Sequence, residues 1–122
     1  MATITPTLTI TSSDAFSDAL SVSFTDDLSA LGPCQSKRVT ISNAGNYQLS
    51  EDDDDKKTYF FVKNIDGAAT VTFCLSNGGA AYMALGPGEW AFFPWGAAST
   101  DLFLDSSAST SVVEIMSFQA TT

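Results

Sequence analysis

Residues 85–95 read Leu85-Gly86-Pro87-Gly88-Glu89-Trp90-Ala91-Phe92-Phe93-Pro94-Trp95, and this stretch decides the fold class. Pro87 fixes φ at the first corner of a Gly-Pro-Gly turn, and Gly88 accepts a positive φ at the next corner. Turn residues between two short apolar runs are typical of a β-hairpin. The stretch therefore predicts a hairpin between strands at residues 80–85 and 89–93.

Short strand patterns continue on both sides of this turn. Residues 58–64 are apolar on both faces, which predicts a central strand covered on each side. Asp66-Gly67 is a hairpin signal. Further strands are predicted at residues 20–25, 37–42, 47–49, 69–75, 102–104 and 110–118. Turn signals about every 8–12 residues indicate an all-β protein, an antiparallel β-sandwich or jelly roll of about eight short strands.

The first 30 residues have a different character, with many Thr and Ser and few aromatic residues. Ile4, Leu8 and Ile10 share one face of a Thr-rich segment, and Pro6 lies on that face without a donor, which predicts an edge strand or an extended arm. Residues 14–18 are predicted to form a turn or a short helix. The 122 residues fit one domain. We assign residues 1–30 to an extended N-terminal arm and residues 36–118 to the compact core.

The formal net charge of −9, with five basic residues, narrows the range of partners. Nucleic-acid binding requires a basic surface that neutralises phosphates, so it is not expected. An anionic membrane surface would repel the chain for the same reason. A basic or mixed protein partner suits this charge. No basic segment followed by an apolar run opens the chain, so we expect synthesis and folding in a cytoplasm.

Residues that carry common catalytic chemistry are few. The chain has no His, which excludes Ser-His-Asp and Cys-His arrangements and imidazole metal ligands. Cys34 and Cys74 stand outside any Cys-x-x-Cys spacing, so they are expected to be free rather than a redox or zinc pair, with a disulfide as the alternative. A pair of carboxylates is enough for a glycosidase, but no such pair is identified. We expect no cofactor, no metal and no enzymatic activity.

An acidic run precedes the predicted central strand. Its centre is Asp52, Asp53, Asp54 and Asp55, and two lysines follow. Crowded carboxylates bind calcium in some proteins, but the spacing of an EF-hand loop is absent. The favoured interpretation is a solvated loop that contacts a basic partner.

The aromatic residues after the Gly-Pro-Gly turn fall on two faces of one strand. Alternation places Trp90 and Phe92 together, and we expect this pair in the core. Phe93 and Trp95 are then left over. An uncovered aromatic patch indicates a protein interface or a platform for sugar stacking.

Three segments resemble small virion proteins of tailed bacteriophages, cyanophages in particular. They are Tyr59-Phe60-Phe61-Val62-Lys63-Asn64, the run from Leu85 to Pro94, and Val112-Val113-Glu114-Ile115-Met116-Ser117-Phe118. The first is an aromatic strand with a Lys-Asn step, the second a Leu-x-Pro-Gly-Glu hairpin, and the third a terminal strand. The opening Thr-Ile-Thr-Pro-Thr-Leu-Thr-Ile at residues 3–10 is also similar to the start of such proteins.

This resemblance implies a jelly-roll protein of the virion that is assembled in the host cytoplasm. The expected role is a capsid decoration (cement) protein that binds the major capsid protein or other virion proteins. We also expect a homo-oligomer, with a trimer favoured. Ile4, Leu8 and Ile10 of the arm, with Phe93 and Trp95, are the expected partner-binding residues. A tail, neck or fibre component is the first alternative, and a carbohydrate-binding module is the second.

Overall fold

The computed structural model describes residues 1–44, 46–50, 56–96 and 101–120. Within these ranges the chain forms antiparallel β-strands and no helix, so the all-β prediction is confirmed. In chain order the strands are β1 (Ala2–Ile4), β2 (Thr7–Ser12), β3 (Leu20–Thr25), β4 (Leu28–Ala30), β5 (Cys34–Ser42), β6 (Tyr47–Ser50), β7 (Thr58–Asn64), β8 (Val71–Cys74), β9 (Ala81–Leu85), β10 (Trp90–Trp95), β11 (Leu102–Ser106) and β12 (Thr110–Gln119).

Eight of the described strands form two four-stranded sheets. We call the sheet with strand order β10-β7-β12-β5 the front sheet and the sheet with order β6-β11-β8-β9 the back sheet. The two sheets pack together as a β-sandwich, which confirms the β-sandwich part of the prediction. The four strands before residue 31 pair with one another instead, β1 with β4 and β2 with β3.

The core lies between the two sheets, and buried and partly exposed residues alternate strictly along β7 and β11. In β7 the side chains of Phe60 and Val62 are buried, and the side chain of Phe61 between them is partly exposed. The buried apolar cluster consists of Ile41, Phe60, Val62, Val71, Phe73, Leu85, Leu102, Leu104, Val113 and Ile115. Burial of a large apolar side chain stabilises a fold by about 1.5–3 kcal/mol, so these residues hold the sheets together.

The Gly-Pro-Gly turn has the predicted conformation but not the predicted partners. Gly88 has a φ of 81°, and the N–H of Glu89 donates to the carbonyl of Gly86 at 3.0 Å. However, β9 belongs to the back sheet and β10 to the front sheet. The hairpin prediction is therefore wrong, because the turn passes from one sheet to the other. The turn residues determine that the chain reverses direction, but they do not determine which strands pair on either side of the turn.

The Asp66-Gly67 turn is a second crossing of this kind. It joins β7 of the front sheet to β8 of the back sheet, so this hairpin prediction is wrong as well. The side chain of Asp66 accepts the N–H groups of Ala68 and Ala69, each at 2.9 Å. These backbone hydrogen bonds lower the pKa of Asp66 below its ordinary value, Ala69 contributing most. The aspartate fixes the turn locally, and the core determines where it leads.

Asn64 is fully buried and connects the two turns that pass between the sheets. Its side-chain N–H₂ donates to the carbonyls of Ala69 at 2.8 Å and Leu85 at 2.9 Å. Its side-chain oxygen accepts the N–H of Asp66 at 3.0 Å. A buried amide is favourable only when its donors and acceptors are paired, and Asn64 meets this condition with atoms from both turns.

The predictions for the N-terminal region are partly confirmed. The strand predicted at residues 20–25 is β3, and the segment predicted as an edge strand or arm is broken at Pro6 into β1 and β2. Residues 13–18 form bends between β2 and β3 without a helix. The boundary expected at residue 30 falls at the end of β4.

Candidate protein-binding surfaces

The outer face of the front sheet is aromatic. Tyr59 and Phe61 of β7 lie beside Trp90 and Phe92 of β10, and we call these four residues the aromatic face. The rings of Tyr59 and Phe92 are stacked, with centroids 6.3 Å apart and planes inclined by 3°. Phe61 and Trp90 have centroids 6.1 Å apart and an inclination of 33°. Trp90 remains 51% exposed, so this face has no full cover. β7 is a central strand of its sheet, as predicted. Its outer face is not fully covered, so the prediction that both faces of this strand are covered is wrong.

The predicted faces of β10 are reversed in the structure. Trp90 and Phe92 point outward, whereas Phe93 and Trp95 pack against the core. Phe93 meets Phe73 edge to face, with ring centroids 5.7 Å apart. Alternation separates the two sets of side chains but does not state which set faces inward. The register with β7 decides it, because Phe93 lies opposite a buried residue of that strand.

Basic side chains gather on the same outer face. Lys63, Glu114 and Arg38 follow one another across the sheet in register with Trp90. The guanidinium of Arg38 lies 3.7 Å from the carboxylate of Glu114, and both side chains are exposed, so this pair contributes little stability. The ammonium of Lys57 lies 5.1 Å from the centroid of the Tyr59 ring. Lys57 and Lys63 therefore lie beside the aromatic face, and Arg38 lies two strands from Lys63, with Glu114 between them.

The second apolar surface belongs to β2, β3 and the loop between them, which we call the arm hairpin. Leu8 lies opposite Phe24 and Ile10 opposite Val22, so these four side chains share one face. The other face carries Thr and Ser hydroxyls that hydrogen-bond across the strands at 3.0 and 3.3 Å. Leu8, Ile10 and Phe24 are 42%, 46% and 65% exposed. This amphipathic ribbon lacks the cover that its apolar face requires.

The tip of the arm hairpin presents one aromatic residue between two acids. The hydroxyl oxygen of Ser12 accepts the N–H of Ala15 at 2.9 Å and of Asp14 at 3.3 Å, which turns the chain sharply after β2. Phe16 then projects with 66% of its surface exposed, between Asp14 and Asp18 in sequence. Residues 1–33 contain four aspartates and no lysine or arginine. The arm is thus acidic, in contrast to the aromatic face.

A groove of about 730 Å³ separates the arm hairpin from the aromatic face. Its lining consists of Pro6, Thr7, Leu8, Phe24, Thr25 and Asp26 on the hairpin side, and Phe61, Lys63, Trp90 and Phe92 on the sheet side. The exposed lining of the groove as a whole is mainly apolar. Two apolar surfaces of one chain therefore face each other across an open space.

The residues predicted to bind a partner are brought together only in part. Leu8 lines the groove, whereas Ile10 lies on the same face of the hairpin but farther along it. Ile4 is partly buried in β1, opposite Leu28. Phe93 and Trp95 face the core, as described above. The predicted contact loop, Asp52, Asp53, Asp54 and Asp55, lies outside the described residues.

Sequence reasoning missed several groove residues. Phe24 lies in a strand that was predicted at residues 20–25, but the prediction did not place it on an exposed surface. Trp90, Phe92 and Phe61 were recognisable as aromatic strand residues, but the pattern did not reveal that they line one open surface. Nothing in the sequence pattern connects the arm to this part of the sheet.

Within residues 1–44, 46–50, 56–96 and 101–120, no group of three His, Cys, Asp or Glu side chains is arranged to hold a metal ion. Cys34 is exposed and Cys74 is buried, and both are free. In the same ranges there is no helix with the length and apolar character needed to cross a membrane. Comparisons of this chain with protein-family models, with curated proteins and with solved structures find no match.

Proposed function

We propose that this protein is a structural component of a phage particle, a decoration protein that binds and stabilises the assembled capsid. One observation carries the proposal: two apolar surfaces, the aromatic face and the arm hairpin, are uncovered on either side of the groove. Large apolar patches with polar margins are typical of protein-binding sites. The resemblance of three strand segments to phage virion proteins gives the class of partner.

The strand order supports a jelly-roll assignment within the β-sandwich. Among the connections from β5 to β12, the one between β8 and β9 stays within a sheet, and the other six pass between the front and back sheets. Jelly rolls consist of eight strands in two sheets, and they occur in viral capsid and lectin domains. A fold does not by itself determine a function, so this point adds to the surface argument and does not replace it.

Stabilisation of a capsid would follow from mass action. A protein that binds the assembled lattice but not its separated subunits shifts the equilibrium toward the lattice. We assign the role of aromatic anchors to Trp90 and Phe92 instead of Phe93 and Trp95, because Trp90 and Phe92 are accessible. Leu8 and Ile10 keep their proposed role in the arm. The net charge of −9 favours a basic or mixed surface on the major capsid protein.

The test is occupancy on particles of the phage that encodes this chain, prepared without the protein. Purified protein is added back, and bound copies are counted by quantitative mass spectrometry against the major capsid protein. We expect a copy number on the scale of the capsid lattice and a higher temperature of DNA release. Trp90→Ser should lower occupancy about tenfold or more, since aromatic anchors dominate interface energetics.

A matched control is Tyr82→Ser, because Tyr82 is also 51% exposed but lies in β9 of the back sheet. It should bind as the wild type does. A copy number on the scale of a tail, neck or fibre would instead support the first alternative. Failure to bind any part of the particle would refute the proposed function.

A carbohydrate-binding module is the second candidate, favoured by the parallel rings of Tyr59 and Phe92 beside the exposed Trp90. Aromatic faces of this kind can stack on sugars. This candidate predicts that oligosaccharides change the fluorescence of Trp90 at millimolar concentration or below. The decoration protein predicts no change, and Trp90→Phe identifies which tryptophan responds.

A further inference from the structure

We propose that the groove of one molecule receives the arm-hairpin tip of a second copy, with Phe16 against the aromatic face and Asp14 and Asp18 near Lys63. This inference rests on the proposed function, because it takes the same surfaces as protein-binding surfaces. It assigns the groove to a contact between copies, so Trp90 and Phe92 would contribute to capsid binding by holding the oligomer together. The occupant follows from the extent of the apolar surface, the size of the groove and the distribution of charge.

The apolar surface of the arm hairpin extends beyond the groove of its own molecule. Leu8 and Phe24, near the base of the hairpin, line the groove. Ile10 and Phe16 lie farther toward the tip and do not line it, and they are 46% and 66% exposed. The molecule's own sheet therefore meets only the base of this ribbon. Covering the remainder requires another molecule.

The groove has the size and lining that the tip requires. Its volume of about 730 Å³ falls in the range of about 300–1,000 Å³ typical of binding pockets. The sheet side offers the rings of Phe61, Trp90 and Phe92. An exposed phenylalanine that enters such a pocket is desolvated on all sides, which is the usual environment of an interface hot spot. Phe16 is suited to be that anchor.

Charge distinguishes the tip from other apolar segments. The charged side chains of residues 1–33 are all acidic, whereas Lys57 and Lys63 lie beside the aromatic face. Two molecules of net charge −9 repel one another overall. Opposite local charges across an interface guide the correct pairing in spite of this repulsion. The acidic tip is thus matched to Lys63 on the sheet side of the groove, while Asp26 lies on the opposite, hairpin side.

The tip and the groove are different surfaces, so the contact is heterologous. Such contacts form closed rings when the rotation between copies allows closure. An oligomer of this type uses one tip and one groove from each copy, whatever number of copies closes the ring. Each copy would then be held by both neighbours.

The first experiment measures the mass of the full-length protein by sedimentation equilibrium over a range of concentrations at low salt. We expect a closed oligomer whose dissociation constant rises with ionic strength. Phe16→Ser should weaken association by about tenfold or more. Leu75→Ser is the matched control, since Leu75 is 49% exposed and lies outside both the tip and the groove. It should associate as the wild type does.

The second experiment tests whether the contact forms between molecules. Asp14→Lys with Asp18→Lys gives a basic tip, and Lys63→Asp in a separate chain gives an acidic groove. Each variant alone pairs like charges and should associate more weakly than the wild type. When the two are mixed, contacts between unlike chains again join opposite charges, so mixed dimers and even-membered oligomers should form, since two chain types cannot alternate around a ring of three.

A wild-type protein that stays monomeric at all accessible concentrations would overturn the inference. So would charge variants that remain dissociated after mixing, as expected if the hairpin closes on its own sheet, or a Phe16→Ser variant that associates normally. A monomer that still decorates capsids would refute this inference alone. An oligomer that does not bind phage particles would refute only the proposed function.

Discussion

Asn64 connects two distant turns through a single side chain. Its amide group contacts the crossing after β7 and the end of β9, and none of its surface is exposed to solvent. Removing it leaves two carbonyls and one N–H without a partner in the core. Each buried polar group that loses its partner costs about 1–3 kcal/mol.

Asn64→Ala should therefore lower the free energy of unfolding by about 2–4 kcal/mol, with partial relaxation around the cavity. Urea unfolding followed by far-ultraviolet circular dichroism measures this. Asn43→Ala is the control, because Asn43 is exposed and bonds through its backbone N–H to Ser109. A loss below about 0.5 kcal/mol for Asn64→Ala, within the range of ordinary surface substitutions, would contradict the role assigned to this residue.

Single residues also mark where sequence reasoning succeeds. The positive φ of Gly88 was predicted from its place after Pro87, because a turn of this type demands it. The orientation of Phe93 was predicted wrongly, since aromatic residues occur on both faces of its strand. Local sterics act on the residue itself, whereas burial depends on a partner strand that the local pattern does not identify.

The arm hairpin and the sandwich strands differ in how they are supported. β7 has a neighbour on each side and a buried face, whereas β2 and β3 pair only with each other. A two-stranded hairpin without cover is marginally stable in water. The apolar residues that would stabilise it are largely exposed in the isolated chain.

Backbone amides of β2 and β3 should accordingly exchange hydrogen far faster than those of β7 and β12 when the protein is dilute and monomeric. Regions with few buried apolar contacts open at low free energy. Hydrogen–deuterium exchange with mass spectrometry measures both sets of peptides in one sample. Equal protection of the hairpin and the central strands in the monomer would contradict this prediction.

The strands of the sandwich were largely recognisable as elements. Residues 58–64 match β7 at both ends, and the strand predicted at residues 110–118 differs from β12 by one residue. Alternation and flanking turns define such segments locally. β4 was missed, because three residues between an acidic pair and a Pro-containing loop are too few for a periodic pattern.

The whole molecule is built from contacts between distant parts of the chain. β12 pairs with β5 on one side and β7 on the other, so the last strand joins segments that begin 76 and 52 residues before it. Folding must close these loops, which costs chain entropy, before burial of the core residues can offset that cost. A topology of this type is expected to fold slowly.

Refolding from urea should take milliseconds to seconds, about the range of all-β proteins with non-local pairing. Stopped-flow fluorescence follows it, because Trp95 packs against the core while Trp90 stays exposed. Trp90→Phe isolates the signal of the core tryptophan and should leave the rate nearly unchanged. Complete refolding within the dead time of the instrument would contradict the expectation.

The sequence by itself determined the fold class, the short strands and the backbone conformation of the Gly-Pro-Gly turn, because alternation and turn sterics act over a few residues. Only the tertiary structure decided that β9 and β10 lie in different sheets, that Trp90 faces outward and that the arm hairpin borders the aromatic face. These features depend on which distant strands pair and in which register. The free energy that selects this pairing comes from burial of side chains in the shared core, and every strand of the sandwich contributes side chains to it.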